Sequence, residues 1–255
     1  MATGLFDLSG RLSLVTGSSR GLGLAIAQGL AEAGAELVLN GRDAAALEQA
    51  RDRLVAGGHK AHARPFDVTD AQAVQRGVDA IEAEIGPIEI LFNNAGMQHR
   101  APLAEFPLDA WERLKATNID SVFFVGQAVA RHMIGRGRGK IVNIASVQSE
   151  LARTGIAPYT ATKRAVKMLT KGMATDWARH GLNVNAIGPG YFRTELNAPL
   201  VADPEFTAWL EKRTPAGRWG EVRELVGAAV FLASDAASFV NGQILYVDGG
   251  ITSSL

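Results

Sequence analysis

A chain of 255 residues, 47% of them hydrophobic, can bury roughly three quarters of the surface it would expose unfolded, enough for one domain over residues 1–255. Its 26 basic and 26 acidic side chains cancel, which argues against nucleic acid or an acidic membrane as partner and favours small molecules. The absence of cysteine excludes disulfides, thiolate catalysis and cysteine-ligated metals, and the five histidines lack metal-ligand spacing.

Short apolar runs recur, each followed by a longer segment of helical spacing, and this alternation predicts parallel strands joined by crossover helices. In chain order, a strand at 11–16 leads into a helix at 22–33 that stops at Gly34. A strand at 36–40 leads into a helix at 44–55 capped by Asp43, and a strand at 61–66 into a helix at 71–85 capped by Asp70. A fourth strand at 89–93 precedes helical spacing at 108–133, broken near Asn118. A fifth at 140–145 precedes a helix at 159–180 that stops at Gly181. After a sixth strand at 183–187, the stretch 188–220 carries Pro189, Pro199, Pro204 and Pro215, and predicts a loop with a short helix covering a substrate site. A helix at 222–232 and a strand at 243–247 complete the pattern. The expected class is α/β, an open, doubly wound parallel sheet of about seven strands with helices on both faces. No stretch reaches the roughly 20 apolar residues that span a bilayer, and no targeting pattern precedes residue 8, so the expected setting is cytoplasmic.

Thr16-Gly17-Ser18-Ser19-Arg20-Gly21-Leu22-Gly23 ends the first strand and opens the first helix. Gly17 can take a positive φ, Gly21 lets a pyrophosphate approach the backbone, Gly23 permits close packing, and the helix N-terminus supplies partial positive charge. The spacing, TGxxxGxG rather than GxGxxG, predicts a dinucleotide site with Ser19, Arg20 and Leu22 beside the three glycines. At the end of the second strand, where an NAD site places an acid on the adenosine ribose, stand Asn40, Gly41 and Arg42. With no carboxylate to repel a 2'-phosphate, Arg42 and Arg20 are expected to converge on it from two sides, beside Asn40. Two charge-assisted bonds of about 1.5 to 3 kcal/mol each would favour NADP(H).

Tyr159 and Lys163 are four residues apart in a predicted helix and leave the same face. A phenol with a pKa near ~10 is a poor base, and bringing it near ~7 takes roughly 4 kcal/mol of phenolate stabilisation. One ammonium about 4 Å away supplies that at an effective dielectric near ~20.

Asn93-Asn94-Ala95-Gly96 after the fourth strand, Asn118, Ser146 after the fifth strand, Tyr159-Thr160-Ala161-Thr162-Lys163, Pro189-Gly190 and Val247-Asp248-Gly249-Gly250 follow the turn in order. Together they resemble the short-chain dehydrogenase/reductase family over essentially the whole chain. The resemblance implies a Rossmann-like fold and an NADP(H)-dependent oxidoreductase acting on CH–OH groups. Tyr159 would be the acid/base, Lys163 its electrostatic tuner and a ribose ligand, and Ser146 the hydroxyl that orients the substrate oxygen. Asn118 would support a water-linked proton path to Lys163. By the same resemblance Asn94, Ala95 and Gly96 border the adenosine and ribose end, Asp67 and Val68 hold the adenine, and Thr194 lies near the nicotinamide side. Pro189, Gly190 and Phe192 complete the cofactor set, and a homotetramer is implied. Arg164 departs from the small residue usual after the motif lysine, which puts helix packing there in question.

Within the family, the segments 5–10, 93–100, 146–151, 189–195 and 206–216 resemble bacterial gluconate 5-dehydrogenases, also called 5-keto-D-gluconate reductases. That resemblance implies reversible oxidation of D-gluconate at C5 with pro-S hydride transfer. A related keto-acid, sugar or 3-oxoacyl reductase is the alternative within the family. A module that holds NADP without turnover is the alternative outside enzymology, but such proteins lose the tyrosine or lysine retained here. Arg100, just after Asn93–Gly96, is expected to meet the carboxylate of a hydroxy or keto acid, with Arg153 and Arg193 as competitors. Ser146, Gln148 and Tyr159 would complete the substrate contacts.

Overall fold

The computed structural model describes residues 2–254. Seven strands, β1 (Leu12–Thr16), β2 (Glu36–Asn40), β3 (Ala61–Ala63), β4 (Ile88–Asn93), β5 (Gly139–Ile144), β6 (Leu182–Pro189) and β7 (Ile244–Val247), form one sheet in the order β3-β2-β1-β4-β5-β6-β7. Every neighbouring pair is parallel. The connecting helices are α1 (Gly21–Glu32), α2 (Ala44–Ala56), α3 (Ala71–Glu84), α4 (Leu108–Lys115), α5 (Ser121–Arg136), α6 (Ala157–Trp177), α7 (Ala198–Val201), α8 (Pro204–Arg213) and α9 (Val226–Ala233).

Successive strand residues serve opposite faces, because side chains alternate across a strand. Val15, Leu37, Leu39, Phe92 and Val142 pack with Ile26, Leu30, Leu47, Ala229 and Leu232 of α1, α2 and α9. Leu14, Val38, Leu91, Ile141 and Val184 pack with Val74, Val78, Ile81, Val125, Val129, Val166 and Met173 of α3, α5 and α6. This is the doubly wound, Rossmann-like arrangement, and burial on both faces explains why the strands read as unbroken apolar runs. From β1 the chain winds outward to β2 and β3, then returns to lay β4 on the other side of β1. The carboxyl ends of β1 and β4 therefore part company at a switch point, where a crevice opens.

Three elements differ from the sequence reading. The third strand ends at Ala63 rather than Phe66, since Pro65 has no N–H for the ladder and the Asn40 side-chain amide donates to the Arg64 and Phe66 carbonyls (3.1 and 3.2 Å). The helical stretch from 108 continues to Arg136, and its break is a π turn at Ala116–Asp120 that carries Asn118. Stretch 188–220 is more ordered than a loop: β6 extends to Pro189, α7 and α8 follow, and Asp203 caps α8 through the Glu205 and Phe206 amides. Leu210 and Trp219 anchor it against Val147 and Ile251. Among the described residues, no helix is long and apolar enough to cross a membrane.

Candidate active site

A cleft of about 1000 Å³ runs along the carboxyl ends of the strands, from the glycine-rich turn to α7. At its centre, Gly17 has φ 63°, and a Cβ there would lie 2.9 Å from the Ala95 Cα. Gly23 could not carry a side chain, because its Cβ would meet the Gly17 carbonyl oxygen at 2.3 Å. Gly21, with φ 59°, has nothing within 4 Å of that position, so its backbone faces open space at the start of α1. The Asn94 and Ala95 amides both donate to the Thr16 hydroxyl (3.0 and 3.1 Å), and the Asn94 side chain donates to the Thr16 and Gly17 carbonyls (2.9 and 3.0 Å). Asn94 therefore staples β4 to the glycine turn, while Ser19, Leu22 and Gly96 line the cleft beside it.

At the adenosine end, Asp67 accepts from the Thr69 amide and hydroxyl, which shapes the turn holding Val68 against the cleft. Asn40 lines the cleft, its side chain fully buried and its amide nitrogen donating to the two carbonyls after β3. Arg42 is exposed at the cleft wall, joined there by Gln49 and Arg53 of α2, which carried no sequence signal. Arg20 lines the same cleft and pairs with Glu195 of stretch 188–220 at 3.5 Å.

At the reacting end, the Ser146 hydroxyl follows β5 and accepts from the Gln148 amide at 3.1 Å, and both it and Tyr159 line the cleft. Tyr159 lies in the first turn of α6 and Lys163 one turn on. The Lys163 ammonium donates to the Ile144 carbonyl at 2.8 Å and sits 5.8 Å from the centroid of the Tyr159 ring. Burial lowers Lys163 to about 8. Burial likewise pushes Tyr159 up to about 12, against the neighbouring Ser146 hydroxyl and the Arg100 charge, which favour the phenolate. The ammonium is thus held by a strand carbonyl on the face of the Tyr159 ring. The Asn118 side-chain oxygen accepts from the Met97 amide (2.8 Å) and its nitrogen donates to the Met97 carbonyl (2.9 Å) and the Thr162 hydroxyl (3.1 Å), so it clamps the 96–97 turn to α6. Arg164 points away from the cleft, donating to the Ser149 carbonyl at 2.8 Å and pairing with Glu150 at 2.6 Å, and thereby ties α6 to the turn after Ser146.

Pro189, Gly190, Phe192 and Thr194 line the far wall. A Cβ on Gly190 would lie 2.7 Å from the Asp248 Cα, and its amide donates to the Val247 carbonyl at 2.9 Å, so two separate sequence motifs form one joint. Arg100, Gln148, Arg153 and Tyr191 gather beyond Tyr159. Burial and the nearby Arg153 charge lower the Arg100 guanidinium, and burial raises the Tyr191 phenol. Arg193 is engaged with Glu221 at 3.3 Å and is not part of the cleft wall.

The open amide face at Gly21, the helix N-terminus behind it and the length of the cleft fit a dinucleotide, with Arg42 and Arg53 suited to an extra phosphate at the adenosine end. A family model described as enoyl-(acyl carrier protein) reductase matches residues 17–252. The chain is 68% identical over 251 residues to gluconate 5-dehydrogenase of Gluconobacter oxydans (strain 621H), with 98% of each protein covered. It is 52% identical over 247 residues to 5-keto-D-gluconate 5-reductase of Escherichia coli (strain K12), with 97% of each covered. Among solved structures, a gluconate 5-dehydrogenase from Burkholderia cenocepacia J2315 in complex with NADP and tartrate matches at a TM-score of 0.98 and 57% identity, covering 100% of both chains.

Proposed function

Because the chain belongs to the short-chain dehydrogenase/reductase family, we propose that it catalyses the reversible, NADP(H)-dependent oxidation of D-gluconate at C5 to 5-keto-D-gluconate. The observation that carries this reading is Ser146, Tyr159 and Lys163 lining one stretch of the cleft, the Lys163 ammonium on the face of the Tyr159 ring, together with Arg100 and Arg153. When bound, NADP(H) supplies the hydride donor or acceptor and, in its oxidised form, a positive charge beside the phenol. In the reductive direction the Tyr159 hydroxyl gives its proton to the C5 oxygen, and in the oxidative direction its oxygen takes one back. Ser146 orients that oxygen through its hydroxyl, and Lys163 holds positive charge under the ring. A phenol pushed to about 12 by burial carries its proton at neutral pH, the form that acts as acid towards a ketone oxygen.

An acyl-thioester reductase is the weaker reading, because two arginines beside the reacting group suit a small anion better than an alkyl chain. We read the working form as a cytoplasmic homotetramer. Phe239 and Leu245 stand exposed at the β7 edge of the sheet, while Leu108, Phe123 and Met168 are exposed on α4, α5 and α6. Two such surfaces on one chain suit two isologous contacts.

The deciding experiment is a steady-state absorbance assay of NADPH consumption with 5-keto-D-gluconate beside a panel of other keto acids, neutral ketoses and a 3-oxoacyl thioester. Turnover of 5-keto-D-gluconate at least about tenfold more efficient than the rest is expected; preference for the thioester or a neutral ketose would refute the assignment.

A further inference from the structure

Among the charged side chains on the cleft wall, Arg153 has the surroundings that most call for an anion. Its guanidinium lies 5.0 Å from the centroid of the Phe206 ring in α8, and its charge acts on the Tyr191 hydroxyl, which lines the same cleft. Arg20 is paired with Glu195, whereas Arg153, like Arg42, Arg53 and Arg100, has no acidic partner among the described residues. Its Nε is buried and has no hydrogen-bond partner. Gln148, only 6% exposed, meets the same Tyr191 hydroxyl through its Nε2 at 3.4 Å, and its Oε1 is likewise buried without a partner. One unpaired donor and one unpaired acceptor thus flank a single phenol, on side chains that both line the cleft. Buried polar atoms are rarely left unpaired in a protein, and a cluster of two beside a catalytic hydroxyl points to a ligand that pairs them.

We propose that Arg153 and Gln148 form one subsite that takes the carboxylate and the adjacent hydroxyl of a 2-hydroxy acid: the Arg153 Nε–H donates to the carboxylate, and the C2 hydroxyl donates to the Gln148 Oε1. The inference rests on the sugar-acid reading above and deepens it by saying which end of the acid goes where. Arg100 and Arg153 line the same cleft, and it is the unpaired Nε beside Phe206 and Tyr191 that singles out Arg153 for the carboxylate, the role expected of Arg100 from the sequence. Stacking on Phe206 holds the guanidinium plane in place, so little ordering is left for the substrate to impose. The Gln148 Oε1 adds discrimination, since an acid lacking the C2 hydroxyl leaves that oxygen unpaired.

The test uses the purified full chain with Arg153→Gln, Arg153→Lys, Gln148→Ala and Arg100→Ala, each first checked for NADPH binding by fluorescence. Substrates are the best acid of a panel headed by 5-keto-D-gluconate, its 2-deoxy counterpart and a neutral ketose. Arg153→Gln is expected to raise KM for the acid by about ten- to a hundred-fold with kcat nearly unchanged, and to leave the neutral ketose alone. Arg153→Lys should recover part of that loss. Gln148→Ala should erase most of the preference for the acid over its 2-deoxy counterpart. Arg100→Ala should instead lower kcat on both acid and ketose. An unchanged KM for the acid in Arg153→Gln, or equal losses on acid and ketose, would overturn the proposal. If the best acid is not 5-keto-D-gluconate, the gluconate reading falls while Arg153 is still judged on that acid; if only neutral ketoses are reduced, both fall.

Discussion

Tyr159 carries two opposed demands: it must be buried to meet the substrate oxygen in a dry site, and burial raises its pKa to about 12. The neighbouring Ser146 hydroxyl and the Arg100 charge both favour the phenolate without cancelling that penalty. Replacing Tyr159 with Phe keeps the ring above the Lys163 ammonium and removes only the proton carrier. We expect kcat to fall by at least about a thousandfold with NADPH affinity within a factor of about two. Retention of a tenth of the rate would show that another group moves the proton. At the other end of the cleft, Arg42 is exposed and lies beside Arg53, whereas Arg20 is engaged by Glu195. Arg42→Asp should therefore raise KM for NADP by about ten- to a hundred-fold while leaving that for NAD within about threefold, and Arg20→Ala should affect the two cofactors alike. Parallel initial rates with both cofactors decide this; equal changes in the Asp variant would remove Arg42 from phosphate recognition.

The joint between β1, α1 and β4 depends on one missing side chain. A methyl group on Gly23 would meet the Gly17 carbonyl at 2.3 Å and the Asn94 amide nitrogen at 2.4 Å, so α1 would have to leave the turn. Gly23→Ala should weaken NADPH binding at least about tenfold in a fluorescence titration and lower the melting temperature by several degrees. Normal affinity in the Gly23→Ala variant would show that the helix N-terminus can move without cost to the cofactor. This joint was legible in sequence because strand end, turn and helix start are contiguous, and β1, β2 and β5 were legible as apolar runs buried on both faces. The end of β3 at Ala63 was harder to read, since it is fixed by the Asn40 side chain, 24 residues away from Arg64 in the chain. The break in the helical stretch at Asn118 showed in the pattern, but its π geometry has no composition of its own. Helices α7 and α8 were hidden by prolines that turned out to sit in their first turns. At the site, Asn118, Ser146, Tyr159 and Lys163 could be read because their order along the chain resembles that of the family; only the four-residue spacing of Tyr159 and Lys163 was visible in the local pattern. The direction of the Tyr159 shift could not, because it depends on burial; neither could Arg53 on the outside of α2.

Across the whole molecule, a sheet covered on both faces by apolar clusters can tolerate a few charged groups at its carboxyl edge, and Lys163 is the one that weighs most directly on stability. Its exposure is 5%, its ammonium rests on the Ile144 carbonyl, and burial lowers its pKa from 10.5 to about 8. Below pH ~8 the folded and unfolded chains both hold the proton, and folding bears the full cost of a buried ammonium. Between about 8 and 10.5 the unfolded chain still holds a proton that the folded one has released, so stability contributed by this group rises with pH; above 10.5 the cost is gone. Tyr159 acts in the opposite sense and higher up, since a pKa raised from 10.0 to about 12 makes stability fall across that interval. The comparison of wild type with Lys163→Met isolates the lysine, because Tyr159 is common to both. Losing the bond to the Ile144 carbonyl adds an offset that does not vary with pH. Urea unfolding midpoints at constant ionic strength, without nucleotide, should therefore place Lys163→Met most favourably relative to wild type below pH ~8, with that relative advantage shrinking steadily as pH rises toward 10.5. A difference between the two proteins that stays constant from pH ~6 to ~10 would mean that Lys163 titrates like an exposed lysine and that its burial does not set its charge.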